Sequence, residues 1–168
     1  MPRLESTEGM AMMKRRLAAL FVVLAAIVVG ANVAVAGNGP PTQVHIVSNI
    51  LFNTSGGFNT GDFITSGAAS GGLICAKGTL VDTSLIFVGF QGGQGFQVQV
   101  RKTFTCDDGS GTFFVKLQVH GQFDGTERFS WVVQGGTGKY QSLHGSGNGS
   151  TVPTNTGNIN TYDGFLIG

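Results

Sequence analysis

The sequence predicts an all-β domain, a barrel or sandwich of around eight short antiparallel strands, behind an N-terminal export signal. Three observations carry this reading. In the middle of the chain apolar residues alternate with polar ones, the period of a strand with one buried face. Glycine-rich turns, Asp-Gly among them, recur at short intervals in a chain with 28 glycines in 168 residues, as hairpins require. No ten-residue window after Ala36 carries an apolar stripe at helical spacing. Only 11% of residues are charged, so few gatekeepers guard sheet edges. That favours a barrel, because closure removes the edges.

The export signal comes first in the chain. Lys14, Arg15 and Arg16 precede an unbroken apolar run from Leu17 to Val29, and Ala34-Val35-Ala36 stands before Gly37. A basic start, an apolar core and small residues at −3 and −1 make a secretory signal, the small pair fitting the narrow pocket of a signal peptidase. A membrane anchor needs about 20 apolar residues, and stretching this run to Ala36 takes in Gly30 and Asn32. Residues 1–36 are therefore expected to be an N-terminal extension and signal peptide. Residues 37–168 form a single domain, secreted or extracytoplasmic, with no membrane attachment after cleavage. No cysteine lies near the cleavage point, which closes the lipoprotein route. Glu5 and Glu8 dilute the basic region, so Met10, Met12 or Met13 is expected to be the start in place of Met1.

The exported part carries six basic and seven acidic residues, a net charge of −1. That leaves no electrostatic footprint for nucleic acid, and 41% hydrophobic residues is too many for a disordered tail. Cys75 and Cys106 are the only cysteines. In an oxidising compartment such a pair reads as one disulfide, closing a loop of about thirty residues and worth roughly 3–4 kcal/mol in the chain-entropy model. Neither cysteine has the C-x-x-C partner or neighbouring histidine of a reactive thiol.

Strands are expected at Val44–Leu51, Phe58–Thr65, Leu73–Ala76 and Thr79–Phe90. The next three form the clearest unit. Phe96, Val98, Val100 and Phe104 share one face of Phe96–Cys106. Phe113, Val115, Leu117 and Val119 share one face of Thr112–His120, and Phe129, Trp131 and Val133 one face of Thr126–Gln134. The connectors Asp107–Gly111 and Gly121–Gly125 both contain Asp-Gly, which tolerates the positive backbone angles of tight turns; the three strands make an antiparallel meander. Further strands are expected around Ser146–Val152 and at Gly164–Ile167, with the Gly/Asn/Thr/Ser-rich stretch Gly147–Asn160 read as a solvated loop or edge segment. Lys102 shares parity with Val98, Val100 and Phe104. Either a bulge or the barrel mouth releases it to solvent, or it is a cation lining an internal cavity.

The search for chemistry returns negatives. Gly135-Gly136-Thr137-Gly138-Lys139 lacks the first glycine of a phosphate-binding loop, and Tyr140 stands where Ser or Thr would hold Mg²⁺. There is no G-x-S-x-G elbow and no H-E-x-x-H. His45, His120 and His144 are widely separated and need no metal, and Asp107 and Asp108 do not match an EF-hand. No cofactor is implied. Asn53-Thr54-Ser55 and Asn148-Gly149-Ser150 match the glycosylation sequon.

Val133-Gln134-Gly135-Gly136-Thr137-Gly138-Lys139-Tyr140, followed by Leu143 and Gly145-Ser146-Gly147, resembles the G-G-T-G-x-[FY] stretch of plant dirigent proteins. It is similar also to segments of allene oxide cyclase-like barrels and of small secreted bacterial proteins of that superfamily. The resemblance covers about fifteen residues. It implies an eight-stranded antiparallel barrel whose lumen takes an apolar ligand, as a monomer or a homo-oligomer, trimers being common in these families. Tyr140 and Leu143 would cap the barrel end. The acidic and arginine groups of dirigent pockets have no counterpart here, so no activity is carried over.

Three functions follow as expectations. The first is non-catalytic binding of an apolar small molecule or a surface partner. The second is a cyclase- or isomerase-type enzyme whose lumen shapes a reactive substrate with few catalytic groups. The third is a structural or adhesive surface role. The residues expected at a ligand site are Lys102, Val100, Phe104, Trp131 and Tyr140, with Lys102 the placed polar group.

Overall fold

The computed structural model describes residues 39–93 and 95–168. The export signal, the cleavage point before Gly37 and the choice of starting methionine lie outside these residues. Eight strands follow in order: β1 (Thr42–Leu51), β2 (Thr60–Ser66), β3 (Lys77–Gln91), β4 (Gly95–Cys106), β5 (Thr112–Gln122), β6 (Glu127–Gly136), β7 (His144–Pro153) and β8 (Gly157–Ile167). Each pairs antiparallel with the next, and β1 pairs with β8 to close the barrel. The meander of β4, β5 and β6 stands as the alternation requires. Phe104, Phe113, Val115, Leu117, Val119, Phe129, Trp131 and Val133 are all buried inside, while Arg101, Gln118, Arg128 and Ser130 are exposed outside.

The two Asp-Gly turns are built by their aspartates. The Asp108 carboxylate accepts hydrogen bonds from the Ser110 hydroxyl and amide, and Asp124 accepts from the hydroxyl and amide of Thr126. These bonds hold both carboxyls below the usual aspartate range. Gly109 and Gly125 follow with φ of 73° and 87°, backbone that a side chain disfavours.

Two expectations are corrected. Leu73–Ala76 is not a strand. It belongs to the β2–β3 connection, where Ile74 and Cys75 are buried and only an isolated bridge between Ser70 and Ile74 forms. The strand expected around Ser146–Val152 stands within β7, but Gly147–Asn160 is not a solvated loop or edge segment: apart from the turn after Pro153 it belongs to β7 and β8, the strands that close the barrel. The register sets Gly145, Gly147 and Gly149 of β7 opposite Val133, Trp131 and Phe129 of β6. The inward positions of β7 thus hold glycine where a strand normally shows apolar side chains. Small residues there leave room for the Trp131, Phe129 and Tyr162 rings.

The interior has two halves. At the end bearing the β2–β3, β4–β5 and β6–β7 connections it is filled. Phe104 stacks on Phe113 with centroids 4.8 Å apart, Phe63 meets both edge-on, and Tyr140 and Tyr162 complete the cluster. The turn Gly138–Tyr140 and Leu143 close this end from outside. Cys75 and Cys106 are joined in a disulfide that ties the β2–β3 connection to the end of β4. The opposite end is open. Among the described residues no helix is long and apolar enough to cross a membrane.

Candidate functional site

The open end of the barrel holds a cavity of about 400 Å³, within the range of small-ligand sites. Val98 and Val100 of β4, Leu117 and Val119 of β5, Phe129 of β6 and Ile50 of β1 form its apolar wall. At its mouth stand Phe52, Leu85, Phe87 and Phe96.

Lys102 lies in this cavity wall at 4% exposure. β4 runs without interruption through it, pairing Lys102 with Val115 of β5, so the side chain points into the lumen. Neither a bulge in its own strand nor the mouth releases it to solvent. Its counter-ion is Asp82, directly opposite on β3, with Nζ 2.5 Å from Oδ1. Asn59, at the foot of the β1–β2 connection, holds Asp82 twice: its Nδ2 donates to Oδ2 at 3.0 Å and its carbonyl accepts from the Asp82 amide. A buried charge is tolerated only when paired and hydrogen-bonded, and these three residues meet that condition together.

Further polar groups gather around the pair. Asn160 and Thr151 are buried in the same wall. Asn160 Oδ1 and Thr151 Oγ1 have no partner within hydrogen-bonding geometry, although the Thr151 hydroxyl lies close enough to Glu127 to favour its ionised form. Burial pushes the half-buried Glu127 carboxyl above the usual glutamate range, opposed by Thr151 and by the positive charge of Lys102. Burial also raises the Tyr162 hydroxyl, just below the cavity, with Lys102 acting against it.

Of the residues expected at a ligand site, the fold brings Lys102 and Val100 to the cavity. Phe104, Trp131 and Tyr140 belong to the packed end instead. Tyr140 points its hydroxyl at Ser110 Oγ, 2.6 Å away, and Trp131 donates to the Asn148 carbonyl. In the glycine-rich turn Lys139 reaches the Gly72 carbonyl. His45 pairs with Asp163 on the outer wall and His120 contacts Gln91. Among the described residues no three of His, Cys, Asp and Glu gather as a metal site. Asp82, Asn59, Asn160 and Thr151 were not legible as site residues, since each sits in a segment whose polar–apolar alternation is broken or weak; Glu127 was missed although it shares the parity of Phe129, Trp131 and Val133 on β6, the signal that could have found it. No family model and no curated protein matches the chain.

Proposed function

We propose that the protein is an exported, non-catalytic barrel that takes an apolar small molecule into its lumen. The observation that carries this is the 400 Å³ cavity, apolar in its wall and polar only around Lys102, Asp82, Asn160 and Thr151. Small-ligand sites combine an apolar surface with a few placed polar groups in this way. The ligand is lipid-like or aromatic, and its polar end meets the unpartnered Asn160 oxygen and the Thr151 hydroxyl. Placement among the allene oxide cyclase-like and dirigent-like barrels is part of the same proposal. It is supported by the eight-stranded closed barrel and by the glycine-rich stretch with Tyr140 and Leu143 at the packed end. Superposition on a crystal structure of such a barrel, with that turn in the same place, checks it. The Cys75–Cys106 disulfide is compatible with an extracytoplasmic compartment.

A cyclase or isomerase is the second reading. It is favoured by one observation, the raised carboxyl of Glu127 at the same cavity as Lys102, a pairing suited to moving a proton.

One experiment tests the proposal. The protein is recovered from outside the cytoplasm, where intact mass should place Gly37 first, and is titrated with a hydrophobic fluorescent probe. Saturable binding of one probe per barrel is expected, and loss of it in Val98→Trp, which fills the cavity. An unsaturable signal, or equal binding by a folded Val98→Trp variant, overturns the proposal.

A further inference from the structure

The mouth of the lumen is surrounded by exposed apolar side chains. On β3, Leu85, Ile86, Phe87 and Val88 are all about half exposed, and Phe90 is 72% exposed. Ordinary alternation would bury every second one. The register shifts at Asp82/Ser84 and Phe87/Gly89 let this hairpin overhang the barrel, so that Leu85 and Phe87 look across the mouth while Ile86 faces outward. Phe123, 63% exposed on the β5–β6 connection, continues the surface: its ring stands 6.3 Å from that of Phe90 and 6.3 Å from that of Phe96, inside the mouth. Across the opening, Phe52 and Phe58 are exposed on the β1–β2 connection. Exposed apolar surface of this extent marks an interaction site.

Charge selects among partners. The four connections at this end, residues 52–59, 91–95, 122–127 and 153–157, contain no lysine or arginine and only two acids, Asp124 and Glu127. The nearest exposed cation, Arg128 on β6, stands beside those two acids, so an anionic surface finds no net positive charge there, and an extended apolar edge on both faces of one hairpin suits insertion better than docking on a flat protein face. Phe and Leu, the side chains this rim offers, are among those that proteins lying on a membrane bury at the headgroup–acyl boundary. A covering that sealed the rim permanently would close the lumen, whereas a lipid surface meets the rim and leaves the mouth facing the apolar phase.

We propose that this rim docks the barrel, mouth first, onto an uncharged lipid surface. The outer wall stays in water and the hairpin tips of β3–β4 and β5–β6 enter the lipid. The sequence alone gave no reason for membrane contact after signal cleavage; the rim supplies one. Docking stands on exposed residues, and rests on the lumen reading only for what passes through the mouth.

The test uses vesicles of zwitterionic phosphatidylcholine. The protein is expected to float with them, equally well when salt is raised and without gain from added anionic lipid. In a Phe90→Trp variant the new indole should be quenched by brominated acyl chains, while Trp131, the one native tryptophan, buried at the packed end, should not. Phe90→Ser with Phe123→Ser should weaken vesicle binding at least about tenfold and leave probe binding in the lumen intact. Binding that requires anionic lipid and vanishes in salt, failure to float, or an oligomer in solution that the double variant dissolves overturns docking on lipid. Vesicle binding without saturable probe binding would sink the lumen reading alone and leave the docking surface standing.

Discussion

Among the described residues Lys102 and Asp82 are the charged side chains that are buried, at 5% and 4% side-chain exposure. Removing one partner of such a pair leaves a charge that neither water nor a counter-ion compensates, at a cost of about 3–5 kcal/mol, whereas replacing both by apolar groups of similar size is often neutral or better. Lys102→Met should therefore lower the free energy of unfolding by about 3–5 kcal/mol, measured in urea. Lys102→Met with Asp82→Leu should restore most of it. A single substitution costing under about 1 kcal/mol would mean water reaches Asp82 freely through the mouth. Lys102 was legible because β4 alternates without a break, so parity alone puts it beside Val100 and Phe104. Asp82 was not. The bulge at Thr83 resets the parity of β3, so the inward set reads Leu80, Asp82, Leu85, Phe87, and the two-residue period that links Asp82 to Leu80 breaks before Leu85 and Phe87.

The strands separate by what their inward positions hold. β4, β5 and β6 carry large apolar side chains there and declare themselves by alternation. β7 carries Gly145, Gly147 and Gly149, so its inward face leaves no hydrophobic signal; a strand was legible around Ser146–Val152, yet the Gly/Asn/Thr/Ser-rich composition from Gly147 to Asn160 also reads as a solvated loop or edge segment. The information is in the partner strand: a β6 with Phe129 and Trp131 inward leaves little room opposite. A Cβ added at Gly149 would stand 2.2 Å from the Phe129 ring and 2.4 Å from the Thr161 carbonyl oxygen, closer than atoms approach without something shifting. Gly149→Ala is expected to destabilise the barrel by about 1–3 kcal/mol, the usual cost of forcing extra volume into a packed interior. Ser150→Ala, on the outward face of the same strand, should be nearly silent. Thermal unfolding followed by circular dichroism measures both. Equal midpoints for the two would show that β7 flexes away from β6 and that its glycines serve no packing purpose. The β2–β3 connection misled for the opposite reason. Leu73–Ala76 is apolar because Ile74 and Cys75 pack beneath the closed end and the disulfide holds them there, not because the segment pairs with a neighbour.

Closure joins the two ends of the domain. Ten residue pairs link β1 to β8, from Thr42 opposite Leu166 to Leu51 opposite Gly157, and β8 contributes Tyr162 and Leu166 to the fully buried interior. The sequence favoured a barrel on the scarcity of charged gatekeepers, yet only Gly164–Ile167 of the closing strand was legible as strand, so closure itself had to come from the structure. It follows that continuity of the chain should matter less than the presence of β8. The ends already lie together: a Cβ placed on Gly39 would be 3.4 Å from the Gly168 carbonyl oxygen. A circularly permuted chain, opened in the exposed turn at Asn155 and joined from Gly168 to Gly39 through a few glycines, keeps every strand pair and replaces one hairpin by another. Exposed turns generally accept such cuts. This permutant is expected to unfold in one cooperative transition with native strand content. A chain ending at Asn155 keeps seven strands but exposes the edges of β1 and β7 and leaves the space of Tyr162 and Leu166 unfilled. It should lose the transition and aggregate through its open edges. Far-ultraviolet circular dichroism on heating, with light scattering, separates the two. A sharp reversible transition in the truncated chain would show that the β4–β5–β6 meander holds the fold without closure.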